Sequence, residues 1–112
     1  MKRSIQTNHH RLAEELRWRV LEGPGETPPS ARQEAAKTAA GVSTIQDRYS
    51  DLARQIGESS HRVTDAQVAS MVLVAASEKA AFEIIAAAAL GAGLHRWRQA
   101  IKTLEEAGDA TR

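Results

Sequence analysis

The run of residues 86–93 limits most strongly how this chain can fold. It consists of alanine and glycine except for Leu90. A glycine inside a helix costs about 1 kcal/mol relative to alanine, and small residues one turn apart let a second backbone approach closely. We therefore expect Ala87, Gly91 and Gly93 to lie in a helix that packs tightly on another helix, within one protomer or between subunits. The alternative is a pair of tolerated glycines or a kink.

The composition indicates a thin core. The chain has 112 residues, of which 42% are apolar and only 4% aromatic, and many of the apolar residues are alanine. A chain of this length buries about two-thirds of its surface on folding, and buried alanine contributes little transfer free energy. We expect a single helical domain over residues 1–112, and association with other copies would add to its stability.

Helix signals divide the chain into five segments. The apolar spacing predicts a first helix that follows a flexible tail at 1–5, and the three prolines within 23–29 predict a Gly/Pro hinge. A hydroxyl residue followed three positions later by glutamine predicts the start of each of the next three helices. We expect the helix after Thr64 to end before Ser77, where a new helix begins. The predicted helices are 6–22, 31–40, one starting at Ser43, one starting at Thr64, and 78–107, which stops at Gly108.

The last predicted helix carries an apolar stripe with steps of four and three residues: Leu90, Leu94, Trp97, Ile101 and Leu104. This pattern predicts that Trp97 lies in the core. Trp18 lies about 200° from Leu16 around the first helix, so it is not on the apolar side of that helix. It could form a subunit contact, stack with an arginine in a cation–π interaction, or simply be exposed.

Charge and composition argue against several partners. The 15 basic and 14 acidic residues are interspersed, so no strong field favours nucleic acid, although both tryptophans lie in Arg-Trp-Arg triplets. Glu78 and Glu83 interrupt the most apolar region, which argues against a membrane span. Lys2 and Arg3 precede no apolar stretch, so we expect no secretory signal and a cytoplasmic protein.

The chain contains no cysteine, and its four histidines include no pair spaced four residues apart. The first fact excludes disulfides, thiolate metal sites and cysteine nucleophiles, and the second argues against a zinc site on one helix. We expect neither a metal nor a cofactor.

Three residues are weak candidates for chemistry: Glu83, His95 and Arg98. Glu83 continues the apolar stripe, and burial without a partner would raise its pKa and make it a proton-transfer group. The alternative is a surface position with Lys79 as its partner. His95 and Arg98, with Lys102, form a cationic strip that is either a solvated face or a site for a carboxylate or phosphate.

Three runs, 63–68, 77–85 and 86–94 followed by Arg96, resemble the carboxymuconolactone decarboxylase and alkylhydroperoxidase D-like superfamily, in particular its short bacterial members. The similarity covers roughly residues 43–107. It implies an all-helical fold of about five helices whose protomers form trimers or multiples of them. The superfamily's peroxidase branch uses two cysteines, a histidine and an upstream glutamate.

Matching Glu83 to that glutamate places His95 and Arg98 where the cysteines belong, and another register offers no catalytic position. Thiol peroxidase and disulfide reductase activities are therefore excluded. Our leading hypothesis is a redox-inactive, non-catalytic homo-oligomer whose partner is itself. The alternative is a cofactor-independent, decarboxylase-like lyase or isomerase that acts on a small carboxylated substrate.

Overall fold

The computed structural model describes the backbone of residues 2–110 and the side chains of residues 8–109. Within this part the chain forms five α-helices, one short 3-10 helix and no strand, which confirms the expected all-helical fold. In chain order the elements are α1 (Lys2–Leu21), α2 (Pro29–Ala39), α3 (Ser50–Ser59), the 3-10 helix (Ser60–Arg62), α4 (Asp65–Ala75) and α5 (Glu78–Ala110).

Helix α5 is the axis of the fold, because each of the other four α-helices packs against it. Its 33 residues span roughly 50 Å at 1.5 Å per residue. This length is close to the longest dimension of the molecule, 54 Å. The stretch 99–109 is exposed except for the half-buried Ile101, so the end of α5 extends beyond the main core.

The main core lies where α2, α3, α4 and the first half of α5 meet. Its larger buried side chains are Tyr49, Leu52, Ile56, Met71 and Ile84. Alanines from α2, α3 and α5 fill most of the remaining space. A smaller buried cluster of Leu21, Ala36 and Ala87 joins α1 to α2 and α5.

Two glycines bring the backbone of α2 very close to its neighbours. A Cβ atom on Gly91 of α5 would lie 2.6 Å from the Cα atom of Ala36, and one on Gly57 of α3 would lie 2.7 Å from the carbonyl carbon of Ala39. Neither position has room for a methyl group. Gly93 differs, because a Cβ atom there would meet no atom within 4 Å.

Two of the predicted helix boundaries are confirmed. The Thr64 hydroxyl accepts a hydrogen bond from the Gln67 N–H at 3.2 Å, and the Gln67 side chain accepts one from the Thr64 N–H at 2.9 Å, which completes a capping box. Ala76 takes a left-handed conformation with φ of 75°, and the Ser77 hydroxyl accepts from the Ala80 N–H. Helices α4 and α5 are therefore separated at Ser77.

The other two predicted capping boxes are wrong. Helix α2 begins at Pro29 without a side-chain cap, because proline is well suited to the first turn of a helix. Helix α3 begins at Ser50 and not after Ser43. The Ser43 hydroxyl donates to Glu34 on α2 and accepts from the Ile45 N–H, so it is engaged in a turn.

Other boundaries and one burial prediction also differ. Helix α1 reaches back to Lys2, into the predicted tail, and α5 continues past Gly108. Trp97 and Leu104, predicted to belong to a core stripe, are 36% and 67% exposed. The reason is geometric, since α5 is longer than the helices that cover it.

The Gly91→Ala substitution tests the close contact between α2 and α5. Alanine favours the helix by about 1 kcal/mol, but forcing a methyl group into a packed contact typically costs about 1–3 kcal/mol. We expect urea unfolding of Gly91→Ala to show a lower free energy of unfolding than the wild type. The control Gly93→Ala, measured at low protein concentration, should be more stable by up to about 1 kcal/mol. Equal effects at both positions would contradict the close contact.

Candidate functional site

Glu83 is bound by the loop that connects α1 to α2. Its Oε1 atom accepts hydrogen bonds from the Thr27 N–H at 2.8 Å and the Thr27 hydroxyl at 2.6 Å, and its Oε2 atom accepts from the Glu26 N–H at 2.9 Å. A side chain on Gly25 would clash with this carboxylate, because its Cβ atom would lie 2.8 Å from Oε1. Glu83 therefore pairs with the loop and not with Lys79.

These contacts set the charge state of Glu83. Partial burial by itself raises the pKa of this carboxyl, but the hydrogen bonds from Thr27 and Glu26 outweigh that effect. The positive charge of Arg32 acts in the same direction, and the net result is a pKa below the ordinary value. The condition for a raised pKa, burial without a partner, is thus not met, because both oxygens of Glu83 accept hydrogen bonds.

Arg32 of α2 holds the same loop from inside. It is only 2% exposed, and its guanidinium donates to the carbonyl oxygens of Val20, at 2.8 Å, and Gly23. A longer bond of 3.5 Å reaches the carbonyl oxygen of Thr27. We call Thr27, Arg32 and Glu83 the loop clamp. It fixes a segment that the sequence suggested as a hinge.

Sequence reasoning did not select Thr27 or Arg32. One signal could have indicated Arg32: it is an arginine in an alanine-rich helix that directly follows a loop rich in glycine and proline. The carbonyl groups of such a loop need hydrogen-bond donors. The Ser77 hydroxyl adds a further link, because it donates to the Glu26 carboxylate at 2.7 Å. The loop clamp therefore joins α2, the loop and the start of α5.

The three candidates for chemistry do not converge on one pocket. Glu83 and His95 are twelve residues apart on α5, a separation of roughly 18 Å along the helix axis. Glu83 faces the loop, whereas His95 and Arg98 line a groove between α1, α2 and the middle of α5. Acid–base catalysis needs groups within hydrogen-bonding reach of one substrate, so this set does not form a catalytic site within the protomer.

The groove itself carries several positive charges. His95 and Arg98 share it with Arg17 of α1 and Lys37 of α2, and we call these four residues with their surroundings the cationic groove. Its volume is about 360 Å³. The sequence pointed to the part on α5, but only the fold brings Arg17 and Lys37 to it.

The small residues of α5 lie on two different sides. Ala87 is fully buried and Gly91 contacts α2, so these two residues pack within the protomer. Gly93 is exposed and belongs to an outward face that begins at Phe82, which is 70% exposed. We define the outward face by the eight apolar or glycine residues that follow one side of α5: Phe82, Ala86, Ala89, Gly93, Trp97, Ala100, Leu104 and Ala107.

Helix α1 also exposes apolar side chains. Trp18 is 54% exposed, and Leu12 and Leu16, one turn apart, are exposed as well. Leu21, three residues after Trp18, is buried and anchors α1 to the protein. The surface of α1 thus adds to the exposed apolar area of the molecule.

The described residues contain neither a membrane-spanning helix nor a cluster of metal ligands. Over residues 2–110, no helix is both long enough and apolar enough to cross a membrane. Across the same range, His, Cys, Asp and Glu side chains form no group of three or more that could hold a metal ion.

Comparison with models of protein families gives no match, and neither the curated proteins nor the solved structures contain one. The conclusions about function therefore depend on the residues and geometry of this chain alone.

The loop clamp predicts a specific pH dependence of stability. The pKa of Glu83 is lower in the folded than in the unfolded protein. Its contribution to the free energy of unfolding is therefore complete above the ordinary pKa of 4.5, and it is lost as the pH falls through the pKa of the folded state. We expect Glu83→Gln to be less stable than the wild type at neutral pH. This difference in the urea unfolding free energy should shrink below pH 4.5.

The matched control is Glu106→Gln, which changes an exposed glutamate on the same helix. It should leave the unfolding free energy nearly unchanged at every pH. A difference between wild type and Glu83→Gln that stays constant as the pH falls would contradict the role assigned to the Glu83 carboxylate.

Proposed function

We propose that this chain is a redox-inactive, non-catalytic helical protein that works by self-association, and that the outward face of α5 is its main contact. The observation that carries the proposal is the exposed apolar surface of this face. Phe82 and Leu104 are both mostly exposed, and the positions between them on this face carry alanine, glycine and the partly exposed Trp97. Contiguous exposed apolar surface in a water-facing protein marks an interaction site.

The spacing of the outward face favours a second copy of the same helix as its occupant. Gly93 lies eleven residues after Phe82 and eleven before Leu104. If two copies of α5 cross antiparallel around a two-fold axis at Gly93, Phe82 of each copy lies opposite Leu104 of the other. By the same symmetry Ala86 lies opposite Ala100. A surface that complements itself in this way is what a two-fold interface requires.

The centre of the proposed contact suits close packing. Space around the missing side chain of Gly93 is open, and by the same symmetry the small Ala89 of each copy leaves room for Trp97 of the other. Two helices can therefore approach closely there and gain dispersion contacts along their length. The bulky Phe82 and Leu104 then pack against each other at the two ends of the contact.

Membership of the carboxymuconolactone decarboxylase and alkylhydroperoxidase D-like superfamily remains part of this proposal, supported by the sequence resemblance and the all-helical fold. A trimer of protomers, or a multiple of it, requires a second contact besides the two-fold one. The exposed Leu12 and Leu16 of α1 supply a second apolar surface for such a ring, and Trp18 offers a separate contact on another side of this helix. The absence of cysteine excludes thiol-dependent redox chemistry in any assembly.

The lyase or isomerase alternative receives little support from the geometry. Glu83, its proposed acid or base, has a lowered pKa and accepts hydrogen bonds at both oxygens. His95 and Arg98 lie too far along α5 to act with it on one substrate. Self-association therefore accounts better for the arrangement of the side chains.

Sedimentation velocity at micromolar concentration tests the proposal. We expect the wild type to sediment as a dimer or a larger assembly, and Gly93→Arg to shift it to the monomer, because a long charged side chain would stand at the crossing point. Ala69→Arg, the same kind of change at an exposed position of α4, is the control and should leave the assembly intact. A wild-type protein that is monomeric at this concentration would refute self-association.

A further inference from the structure

We propose that the cationic groove binds a small organic anion through its carboxylate or phosphate oxygens. The groove lies between α1, α2 and the middle of α5. Its chemistry is set by Arg17, Lys37, His95 and Arg98, whose side chains come from three different helices. The small carboxylate that the sequence suggested as a partner is one member of this ligand class.

The charge balance of the groove favours an anion. Arg17, Lys37 and Arg98 are cations, and the only acidic residue among those that line the groove is Glu22. The lining of the groove therefore has an excess of positive charge, which Glu14 beside Arg98 partly offsets. Guanidinium groups bind carboxylate and phosphate oxygens with two parallel hydrogen bonds, which gives both affinity and orientation.

The arginines in this groove are not firmly committed to protein partners. The shortest ion-pair distance from Arg17 to Glu22 is 3.7 Å, and that from Arg98 to Glu14 is 4.0 Å. All four of these side chains are more than a third exposed, and exposed pairs of this kind contribute little stability. A ligand with a better placed oxygen can therefore displace either partner.

The rest of the groove suits the carbon skeleton of a small ligand. Gly91, Ala36 and Ala40 provide small residues, while Leu21 and Leu94 add apolar side chains. The volume of about 360 Å³ lies within the range of small-molecule sites, roughly 300–1,000 Å³. Because cationic side chains lie beside small and apolar residues, the groove suits a ligand with one or two anionic groups on a short carbon skeleton.

The groove and the outward face lie on different sides of α5. Gly91 and His95 are each two residues from Gly93, which places them about 200° from it around the helix. Anion binding therefore does not depend on the proposed self-association. The Gly93→Arg variant, designed to be monomeric, should keep the groove and its affinity.

Nuclear magnetic resonance titration at low ionic strength and constant pH tests the inference. We would add inorganic phosphate and, separately, succinate to isotope-labelled protein and follow the backbone amide signals. Saturable shifts are expected at Ala40, Gly91 and His95. The double variant Arg17→Gln, Arg98→Gln should raise the Kd at least about tenfold, since one charge-assisted hydrogen bond alone contributes that much.

Arg62→Gln, which removes an exposed arginine on the 3-10 helix, is the control and should leave the Kd unchanged. Saturable binding of one or both probes that the double variant weakens supports the inference, and the probe that binds identifies phosphate or carboxylate as the preferred group. Shifts that never saturate with either probe, or a Kd that the double variant leaves unchanged, would overturn it. The circular dichroism of each variant verifies that it remains folded.

Discussion

The close contact of α2 with two glycines determines how the rest of the protein is arranged. Gly57 of α3 and Gly91 of α5 each leave no room for a side chain where the α2 backbone passes. Helices this close leave space for little more than methyl groups between them, so alanines make up much of the core. Such a core gains little free energy from removing apolar surface from water, so its stability depends more on dense packing.

The loop clamp satisfies backbone hydrogen-bonding groups in the connection between α1 and α2. The connection between α1 and α2 is short and rich in glycine and proline, so it cannot satisfy its own backbone groups through regular structure. Arg32 donates hydrogen bonds to the carbonyl oxygens of Gly23 and Thr27 in this connection, and Glu83 accepts hydrogen bonds from its N–H groups. Their charges are used to hold the loop, and this structural use occupies both oxygens of Glu83.

The sequence predicts the local features of this fold better than the long-range ones. The capping box at Thr64 and the break at Ser77 involve residues within a few positions of each other, and both are confirmed. The same pattern at Ser43 fails because its hydroxyl has a partner in α2, which no local pattern reveals. The capping signature alone therefore does not distinguish a helix start from a turn held by tertiary contacts.

The candidate site shows the same limit. Glu83 stands out in the sequence as an acid on an apolar stripe, but its partner Thr27 is 56 residues away, so the direction of its pKa shift depends on the fold. In the same way, His95 and Arg98 are visible as a cationic strip, whereas Arg17 and Lys37 join them only through helix packing. Gly91 and Gly93 look alike in the sequence, and only the position of α2 separates them.

The division of α5 into two sides connects the packing of the protomer to its proposed activities. Glycine and alanine fill the side of α5 that faces α2, whereas the bulky Phe82 and Leu104 lie exposed on the outward face. Burying them requires another surface, and the symmetric spacing about Gly93 allows a second copy to provide it. The opposite side keeps its charges beside a groove that self-association would not cover. One helix can thus support an assembly and a ligand site without either competing for the same residues.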